Sequence, residues 1–204
     1  NMHHDAGARR YSPLTQITPA NVGRLRKAWS YHLKPATVER LRPSQATPLV
    51  IDGTMYICSS YGQVIALDPV TGKEKWKFDL PDNDTPATRG GAYWPGTRDI
   101  EASLVFGSRN GRLYVLRLSD GKLNTKVGGT GIINLKTPEV MVTGMDLPYM
   151  LTSPPAIYRN IAITGAGTGE GPGGTNRGEG PLGDTRAWDL TTGKLLWTFH
   201  TVPR

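Results

Sequence analysis

The chain has 204 residues, enough for a domain with a substantial core, and its apolar fraction of 37% argues against wholesale disorder. Its 25 glycines and 16 prolines favour short strands joined by turns over a helical bundle. The net charge of +7 comes from scattered basic residues without a run of five, which argues against a nucleic-acid partner. No apolar stretch approaches the roughly 20 residues of a membrane span.

The first predicted strands follow an extended amino-terminal segment. A turn at Asp52-Gly53 separates two of them, and a third follows closely. The predicted strands are 49–51, 54–59 and 62–67. Cys58 is the only cysteine and lies in an apolar run, so we predict that it is buried in a strand and forms no internal disulfide.

An eleven-residue pattern ends this group of strands and recurs near the end of the chain. Ala66–Trp76 and Ala187–Trp197 share the frame Ala-x-Asp-x-x-Thr-Gly-Lys-x-x-Trp, and a degenerate copy without the tryptophan spans Leu116–Leu123. The Asp can accept backbone N–H bonds in a tight hairpin, and the Gly can supply a positive φ. The tryptophans then occupy equivalent positions from which they can pack between neighbouring sheets.

Repeated strand–turn units of this kind form four-stranded sheets stacked radially. We therefore predict an all-β chain, a partial β-propeller of two to three four-stranded blades with long loop inserts. The copies are unevenly spaced, and loops on a rigid scaffold commonly carry function. The predicted inserts are Pro81–Arg98, Thr130–Leu151 and Gly165–Gly183.

Several longer motifs resemble quinoprotein dehydrogenases, which use pyrroloquinoline quinone, and they occur in the order expected for the amino-terminal part of that family. The motifs are Arg10–Ile17 with Asn21, Val22 and Leu25, then Ala46–Val50, Arg89–Gly96, Thr152–Pro155 and Trp197–Arg204. The resemblance implies an eight-bladed propeller with its cofactor in a central funnel. Residues 1–204 would form the amino-terminal portion of this domain, with the rest of the ring contributed by a longer chain or by additional chains.

The resemblance also implies cofactor-binding residues. The arginine of the Arg-Gly-x-Ala-Tyr-Trp motif, here Arg89, would hold a carboxylate of the cofactor, and the hydroxyl of Thr152 would donate to another oxygen. Gln45 stands where the family usually carries a glutamate that touches the cofactor. Tyr93 and Trp94 are predicted to be packing residues.

The Gly-rich stretch contains the predicted calcium ligand. Glu170 follows Thr152 by 18 positions, the separation that the family shows between a cofactor-binding threonine and a calcium-binding glutamate. A carboxylate there can ligate Ca²⁺, which prefers hard oxygen ligands. Thr168 and Gly169 are predicted to contact the cofactor, and Glu179 is the competing metal ligand in the same stretch.

The substrate type is suggested by a departure from the family pattern. Asn83 and Asp84 stand where alcohol-oxidising members carry an adjacent cysteine pair, which favours a sugar, quinate or polyol substrate. Thr85 replaces a histidine found in some glucose-oxidising members, so glucose itself is not implied. The resemblance places the general base, which is an aspartate, and a second calcium ligand after Arg204. No catalytic residue is therefore predicted in this segment, and the segment alone is expected to be inactive.

The resemblance implies a periplasmic oxidoreductase, soluble or membrane-associated, that transfers hydride from a small alcohol, sugar or polyol to pyrroloquinoline quinone with Ca²⁺ assistance. Its electron acceptor would be a membrane quinone or a cytochrome. Two alternatives stay open at this point. One is a non-catalytic propeller scaffold that binds proteins, and the other is an inactive truncated fragment.

Overall fold

The computed structural model of the chain describes residues 12–141, 148–167 and 183–201. Within these ranges the regular structure consists of twelve β-strands and one short 3₁₀ helix, Val22–Arg24. Nothing in the described part of the chain forms a helix with the length and apolar character needed to cross a membrane. The strands make three four-stranded antiparallel sheets, which confirms the all-β, partial-propeller prediction at three blades.

Each blade is built from four strands that are consecutive in the chain, and each strand pairs with the next. The first blade contains β1 (Leu49–Ile51), β2 (Thr54–Ser59), β3 (Gln63–Leu67) and β4 (Glu74–Asp79). The second contains β5 (Ala92–Trp94), β6 (Ser103–Gly107), β7 (Arg112–Arg117) and β8 (Ile132–Asn134). The third contains β9 (Ala156–Tyr158), β10 (Ile161–Thr164), β11 (Thr185–Asp189) and β12 (Leu195–Phe199).

The second blade lies between the other two, and its middle strands are buried on both faces. Side chains alternate across a strand, so Leu104 and Phe106 of β6 enter a core cluster with Val64 of the first blade. Val105 points to the opposite face and joins a second cluster with Trp188 of the third blade. Because both faces are covered, these strands are continuous apolar runs without the alternation of a half-exposed strand.

The repeated frame forms the hairpin turn between the third and fourth strands of a blade. In the first blade the Asp68 N–H donates to the Lys73 carbonyl and the Gly72 N–H to the Asp68 carbonyl, both at 2.8 Å. The Asp68 carboxylate accepts the N–H groups of Val70 and Thr71 at 2.9 and 2.8 Å. These bonds confirm the predicted role of the aspartate, and the φ of +72° at Gly72 confirms that of the glycine.

The degenerate copy in the second blade makes the same turn with different side chains. The Arg117 N–H donates to the Lys122 carbonyl at 2.9 Å, and the Gly121 N–H donates to the Arg117 carbonyl at 3.0 Å. Asp120 now accepts the Lys122 N–H at 3.1 Å and pairs with the Arg117 guanidinium. The backbone geometry of the turn is therefore retained although the leading aspartate is absent.

Trp76 docks the first blade onto the turn of the second, as the sequence pattern predicted. Its indole N–H donates to the Leu118 carbonyl at 3.0 Å, and its ring covers Gly121 so closely that a Cβ there would overlap it. Trp29 docks in the same way on the first blade, with a 3.1 Å bond to the Pro69 carbonyl. Trp29 lies outside the repeated frame, so the sequence pattern did not identify it.

Two of the predicted inserts contain strands, and to that extent the prediction of loops was wrong. The stretch Pro81–Arg98 includes β5, and Thr130–Leu151 includes β8. Each strand has only three residues, too few to show the alternation by which strands are recognised in a sequence, and neither adjoins an Asp-Gly turn like the one that marks β1. Most of the third predicted insert, Gly165–Gly183, lies outside the described residues.

Cys58 is buried in β2, as predicted, and is 4% exposed. Burial raises the pKa of its thiol to about 12, and only the thiolate reacts readily with alkylating reagents. We expect iodoacetamide to leave Cys58 unmodified in the folded protein at pH 8 and to modify it fully in guanidinium chloride. Peptide mass spectrometry measures both states. Rapid stoichiometric alkylation of the folded protein would contradict the buried position.

Candidate cofactor-binding site

The predicted site residues precede the first strands of the three blades. Gln45 precedes β1, Arg89 precedes β5, and Thr152 precedes β9. The first strands of the second and third blades contact each other, so the segments that enter them meet at one end of the sheets. Residues separated by more than 60 positions in sequence thereby become neighbours.

Arg89 is the central residue of this cluster. Its Nη1 donates to Thr152 Oγ1 and to Ser153 Oγ, each at 3.2 Å, and its backbone N–H donates to the Thr152 carbonyl at 3.2 Å. The structure thus brings two of the predicted residues, Arg89 and Thr152, into direct contact. Ser153 was not predicted as a site residue, although it belongs to the motif Thr152–Pro155, and this membership is a signal that points to it.

Gln45 lies beside the same loop through its backbone. Its N–H donates to the Thr88 carbonyl at 3.2 Å, and its side chain is exposed. At Gly90, where φ is +105°, a Cβ would approach the Thr47 carbonyl oxygen to 3.2 Å. Glycine therefore allows the segment before β1 to pack closely against the residue that follows Arg89.

The turn between β6 and β7 holds both segments that carry the site. On one side the Ala87 N–H donates to the Gly107 carbonyl at 2.7 Å, and Pro86 and Ser108 pair as an antiparallel bridge. On the other side the Leu151 N–H donates to the Ser108 carbonyl at 2.9 Å. The relative position of Arg89 and Thr152 is therefore set by contacts with this turn of the second blade.

The charge balance around Arg89 leaves the guanidinium able to bind an anion. Its side-chain partners are neutral hydroxyls, and within the described ranges no carboxylate forms an ion pair with it. A guanidinium binds carboxylates through charge-assisted and frequently bidentate hydrogen bonds. Arg89, with the two adjacent hydroxyls, is thus suited to an anionic ligand with several oxygen atoms.

Four predicted residues of the Gly-rich stretch lie outside the described residues, namely Thr168, Gly169, Glu170 and Glu179. The start of the stretch is described and lies beside Thr152. Gly167 and Met150 exchange backbone hydrogen bonds of 2.9 and 3.1 Å. Among residues 12–141, 148–167 and 183–201, no three His, Cys, Asp or Glu side chains are grouped so that they could hold a metal ion.

Asn83 and Asp84 stand where the family resemblance places a cysteine pair, and they lie at the start of the loop that carries Arg89. Asn83 has a φ of +54° and is exposed, whereas Asp84 is 2% exposed. One oxygen of the Asp84 carboxylate accepts the backbone N–H groups of Thr85 at 2.8 Å and Asn110 at 3.2 Å. The other oxygen accepts the Tyr114 hydroxyl at 3.1 Å.

The prediction that Tyr93 and Trp94 are packing residues was correct for one of them. Trp94 is fully buried, and its indole N–H donates to Asn160 Oδ1 at 3.2 Å. Tyr93 is 39% exposed. Successive side chains of β5 point to opposite faces, so burial of Trp94 turns Tyr93 outward.

Three four-stranded blades and a tryptophan that docks one blade on the next define a β-propeller protein, and the loop that carries Arg89 is a candidate ligand site at one end of these blades. Comparisons with known proteins identify the family. Residues 1–204 match the family described as "PQQ: Glucose/ethanol/alcohol dehydrogenase, beta-propeller domain". The chain belongs to this family of pyrroloquinoline quinone-dependent dehydrogenases.

Relatives of this chain include enzymes named for different substrates. The dehydrogenase subunit of alcohol dehydrogenase (quinone) from Gluconobacter oxydans is 35% identical over 95% of this chain and 23% of its own length. Quinoprotein glucose dehydrogenase A from Acinetobacter calcoaceticus is 33% identical over 94% of this chain and 26% of its own length. The chain therefore spans about a quarter of the length of these relatives.

The fold matches solved structures of the same family. The quinohemoprotein alcohol dehydrogenase of Comamonas testosteroni superimposes with a TM-score of 0.73 and 30% identity, over 99% of this chain and 27% of that one. A europium-containing methanol dehydrogenase superimposes with a TM-score of 0.65 and 25% identity, over 92% of this chain and 29% of that one. Both matches agree with the blade assignment made from the sheet topology.

Proposed function

We propose that the complete protein oxidises the hydroxyl group of an alcohol, sugar or polyol by hydride transfer to pyrroloquinoline quinone, with Ca²⁺ assistance. The observation that carries this proposal is the contact of Arg89 with Thr152 and Ser153, without an acidic partner among the described residues, in a chain of this family. Residues 1–204 would be the amino-terminal portion of the propeller, completed by a longer chain or by additional chains.

The residues of the site fit the chemistry of the cofactor. Pyrroloquinoline quinone is a planar molecule with three carboxylates, so its pocket needs a cation and hydroxyl or amide donors. Arg89 supplies the cation, and the hydroxyls of Thr152 and Ser153 supply donors at 3.2 Å from its guanidinium. We propose that Gln45, Thr168 and Gly169 complete this side of the pocket.

For the metal we propose Glu170 as a ligand of Ca²⁺. Two observations support this choice: the 18-position separation from Thr152, and the pairing of Gly167 with Met150, which brings the start of the Gly-rich stretch next to Thr152. A carboxylate oxygen is a suitable ligand for a hard cation. A europium-containing methanol dehydrogenase is among the similar structures, so at least one similar protein contains a metal ion.

In the proposed reaction the bound quinone supplies a carbonyl carbon that accepts the hydride. Arg89, Thr152 and Ser153 would hold and orient the cofactor, with the guanidinium and the hydroxyls as donors to carboxylate oxygens. Arg89 provides a positive charge at a defined position, and the loop that carries it is held on the second blade by backbone hydrogen bonds. We propose no general base within residues 1–204.

The names of the relatives indicate which substrate classes to consider for this protein. They include alcohol, glucose and glycerol dehydrogenases, and the presence of Asn83 and Asp84 in place of an adjacent cysteine pair favours a sugar, quinate or polyol for this protein. We propose a periplasmic location and a membrane quinone or a cytochrome as electron acceptor.

Reconstitution of the complete protein tests this function. The cofactor-free protein would be titrated with pyrroloquinoline quinone with and without Ca²⁺, followed by dye-linked oxidation of alcohols, sugars and polyols. We expect a change in quinone absorbance and Ca²⁺-dependent turnover, which Glu170→Ala abolishes and Glu179→Ala retains. An unchanged absorbance spectrum together with no turnover would favour the protein-binding scaffold.

A further inference from the structure

We infer that Asp84 is a positioning residue for Arg89: its buried carboxylate fixes the loop of residues 84–90 on the second blade and so determines where the guanidinium lies. This inference rests on the proposed function, because it assumes that Arg89 binds the cofactor. It goes beyond that function by assigning a role to a residue whose hydrogen bonds go to Thr85, Asn110 and Tyr114 and not to Arg89.

The Asp84 carboxylate is embedded in hydrogen bonds from the loop itself and from the second blade. It is 2% exposed and accepts the N–H groups of Thr85 and Asn110 at 2.8 and 3.2 Å and the Tyr114 hydroxyl at 3.1 Å. A buried carboxylate is costly unless its oxygens are hydrogen-bonded, so these donors and the carboxylate hold one another in place. Asp84 thereby joins the loop to the β6–β7 turn and to the middle of β7.

Tyr114 is a rigid donor for this contact. Its side chain is fully buried, and its ring stacks on Phe106 with centroids 5.3 Å apart and an interplanar angle of 6°. The surroundings, chiefly burial, raise the pKa of its hydroxyl to about 12, so the hydroxyl keeps its proton at neutral pH. Arg112 contacts the same hydroxyl at 3.3 Å and pairs with Asp82 at 2.8 Å, which connects the start of the loop to the same strand.

The backbone just before Asp84 passes through two residues with positive φ. Asp82 and Asn83 have φ angles of +58° and +54°, in the left-handed region that residues other than glycine, asparagine and aspartate seldom adopt, and two successive residues adopt it here. A chain in this conformation tends to relax unless its surroundings hold it. The bonds made by Asp84 immediately after these two residues oppose that relaxation.

The constraint reaches Arg89 through a short series of backbone contacts. After Asp84, the Thr85 carbonyl accepts the Arg109 N–H at 3.0 Å, and the Ala87 N–H donates to the Gly107 carbonyl at 2.7 Å. The Arg89 N–H then donates to the Thr152 carbonyl at 3.2 Å. Loss of the Asp84 contacts would therefore release the first end of this loop and widen the range of positions available to the guanidinium.

A double-mutant cycle in the complete protein tests the inference. Equilibrium dialysis would measure the Kd for pyrroloquinoline quinone in the unmodified protein, Asp84→Ala, Arg89→Ala and the double variant. We expect Asp84→Ala to weaken binding about tenfold when Arg89 is present and to have no effect in the Arg89→Ala background, because the two residues act through one contact. Tyr114→Phe, which keeps the stacked ring, should weaken binding in the same direction and provides the test if Asp84→Ala does not fold.

Two further variants separate positioning from general stability and from charge. Asn124→Ala removes a buried polar side chain that bonds Ser103 and Glu101 in the same blade, away from the loop, and should leave the Kd unchanged even if the blade melts earlier. Asp84→Asn keeps an acceptor for the two N–H groups, and its Kd should stay within about threefold of the unmodified protein.

The outcomes distinguish this inference from the proposed function. Equal losses from Asp84→Ala in both Arg89 backgrounds would overturn the positioning role, as would a Kd for Asp84→Asn as weak as that for Asp84→Ala. An unchanged Kd for Arg89→Ala would instead overturn the proposed function of the arginine itself.

Discussion

Arg89→Ala is expected to weaken the binding of pyrroloquinoline quinone by the complete protein by about 10- to 100-fold, the usual consequence of losing a hydrogen bond to a charged group. The guanidinium donates only to the hydroxyls of Thr152 and Ser153 among described residues, so its charge is available to a ligand carboxylate. Equilibrium dialysis or quinone absorbance at increasing cofactor concentrations measures the Kd.

Two control variants show whether geometry or charge alone matters at this position. Arg89→Lys retains the charge but not the planar fork, so it should recover only part of the affinity. Arg98→Ala removes an exposed arginine that follows the same motif and should leave the Kd unchanged. Equal affinity in Arg89→Ala and the unmodified protein would remove the main support for the proposed function.

Gly107→Ala is expected to lower the free energy of unfolding by about 1–3 kcal/mol, the range typical of overpacking a core, and also to impair cofactor binding. Gly107 ends β6, and a Cβ there would overlap Cβ and Cδ1 of Leu151, which is 1% exposed and cannot move aside without local repacking. Leu151 immediately precedes Thr152, so any displacement shifts the hydroxyl that Arg89 contacts.

Denaturant unfolding and the Kd for the cofactor, measured on the same complete protein, check this prediction. Gly23→Ala is the matched control, because a Cβ at Gly23 meets no atom within 4 Å. It should change neither quantity. A Gly107→Ala protein with unaltered stability and affinity would show that the contact with Leu151 is looser than the structure indicates.

The candidate site shows how far the resemblance could predict a functional cluster. Arg89 and Thr152 were identified from motifs, and the structure places them in contact. Ser153 belongs to the motif Thr152–Pro155 but was not predicted as a site residue, because the motif does not show which of its hydroxyls faces Arg89. The contacts of Asp84 were not predicted, since its partners Asn110 and Tyr114 lie 26 and 30 positions away and their approach depends on the packing of the second blade. The placement of Glu170 stays a prediction, because it lies outside the described residues.

The hairpin turns of the blades follow from local residue types and their spacing. The bonds of Asp68 and the positive φ of Gly72 arise between residues a few positions apart, so residue type and spacing specify them. Three features depend instead on tertiary packing: the extent of β5 and β8, the docking of Trp29 on the first blade, and the contact between the Arg89 and Thr152 segments. Three-residue strands have no readable period, and contacts between distant segments form only when stacked sheets bury their faces against each other.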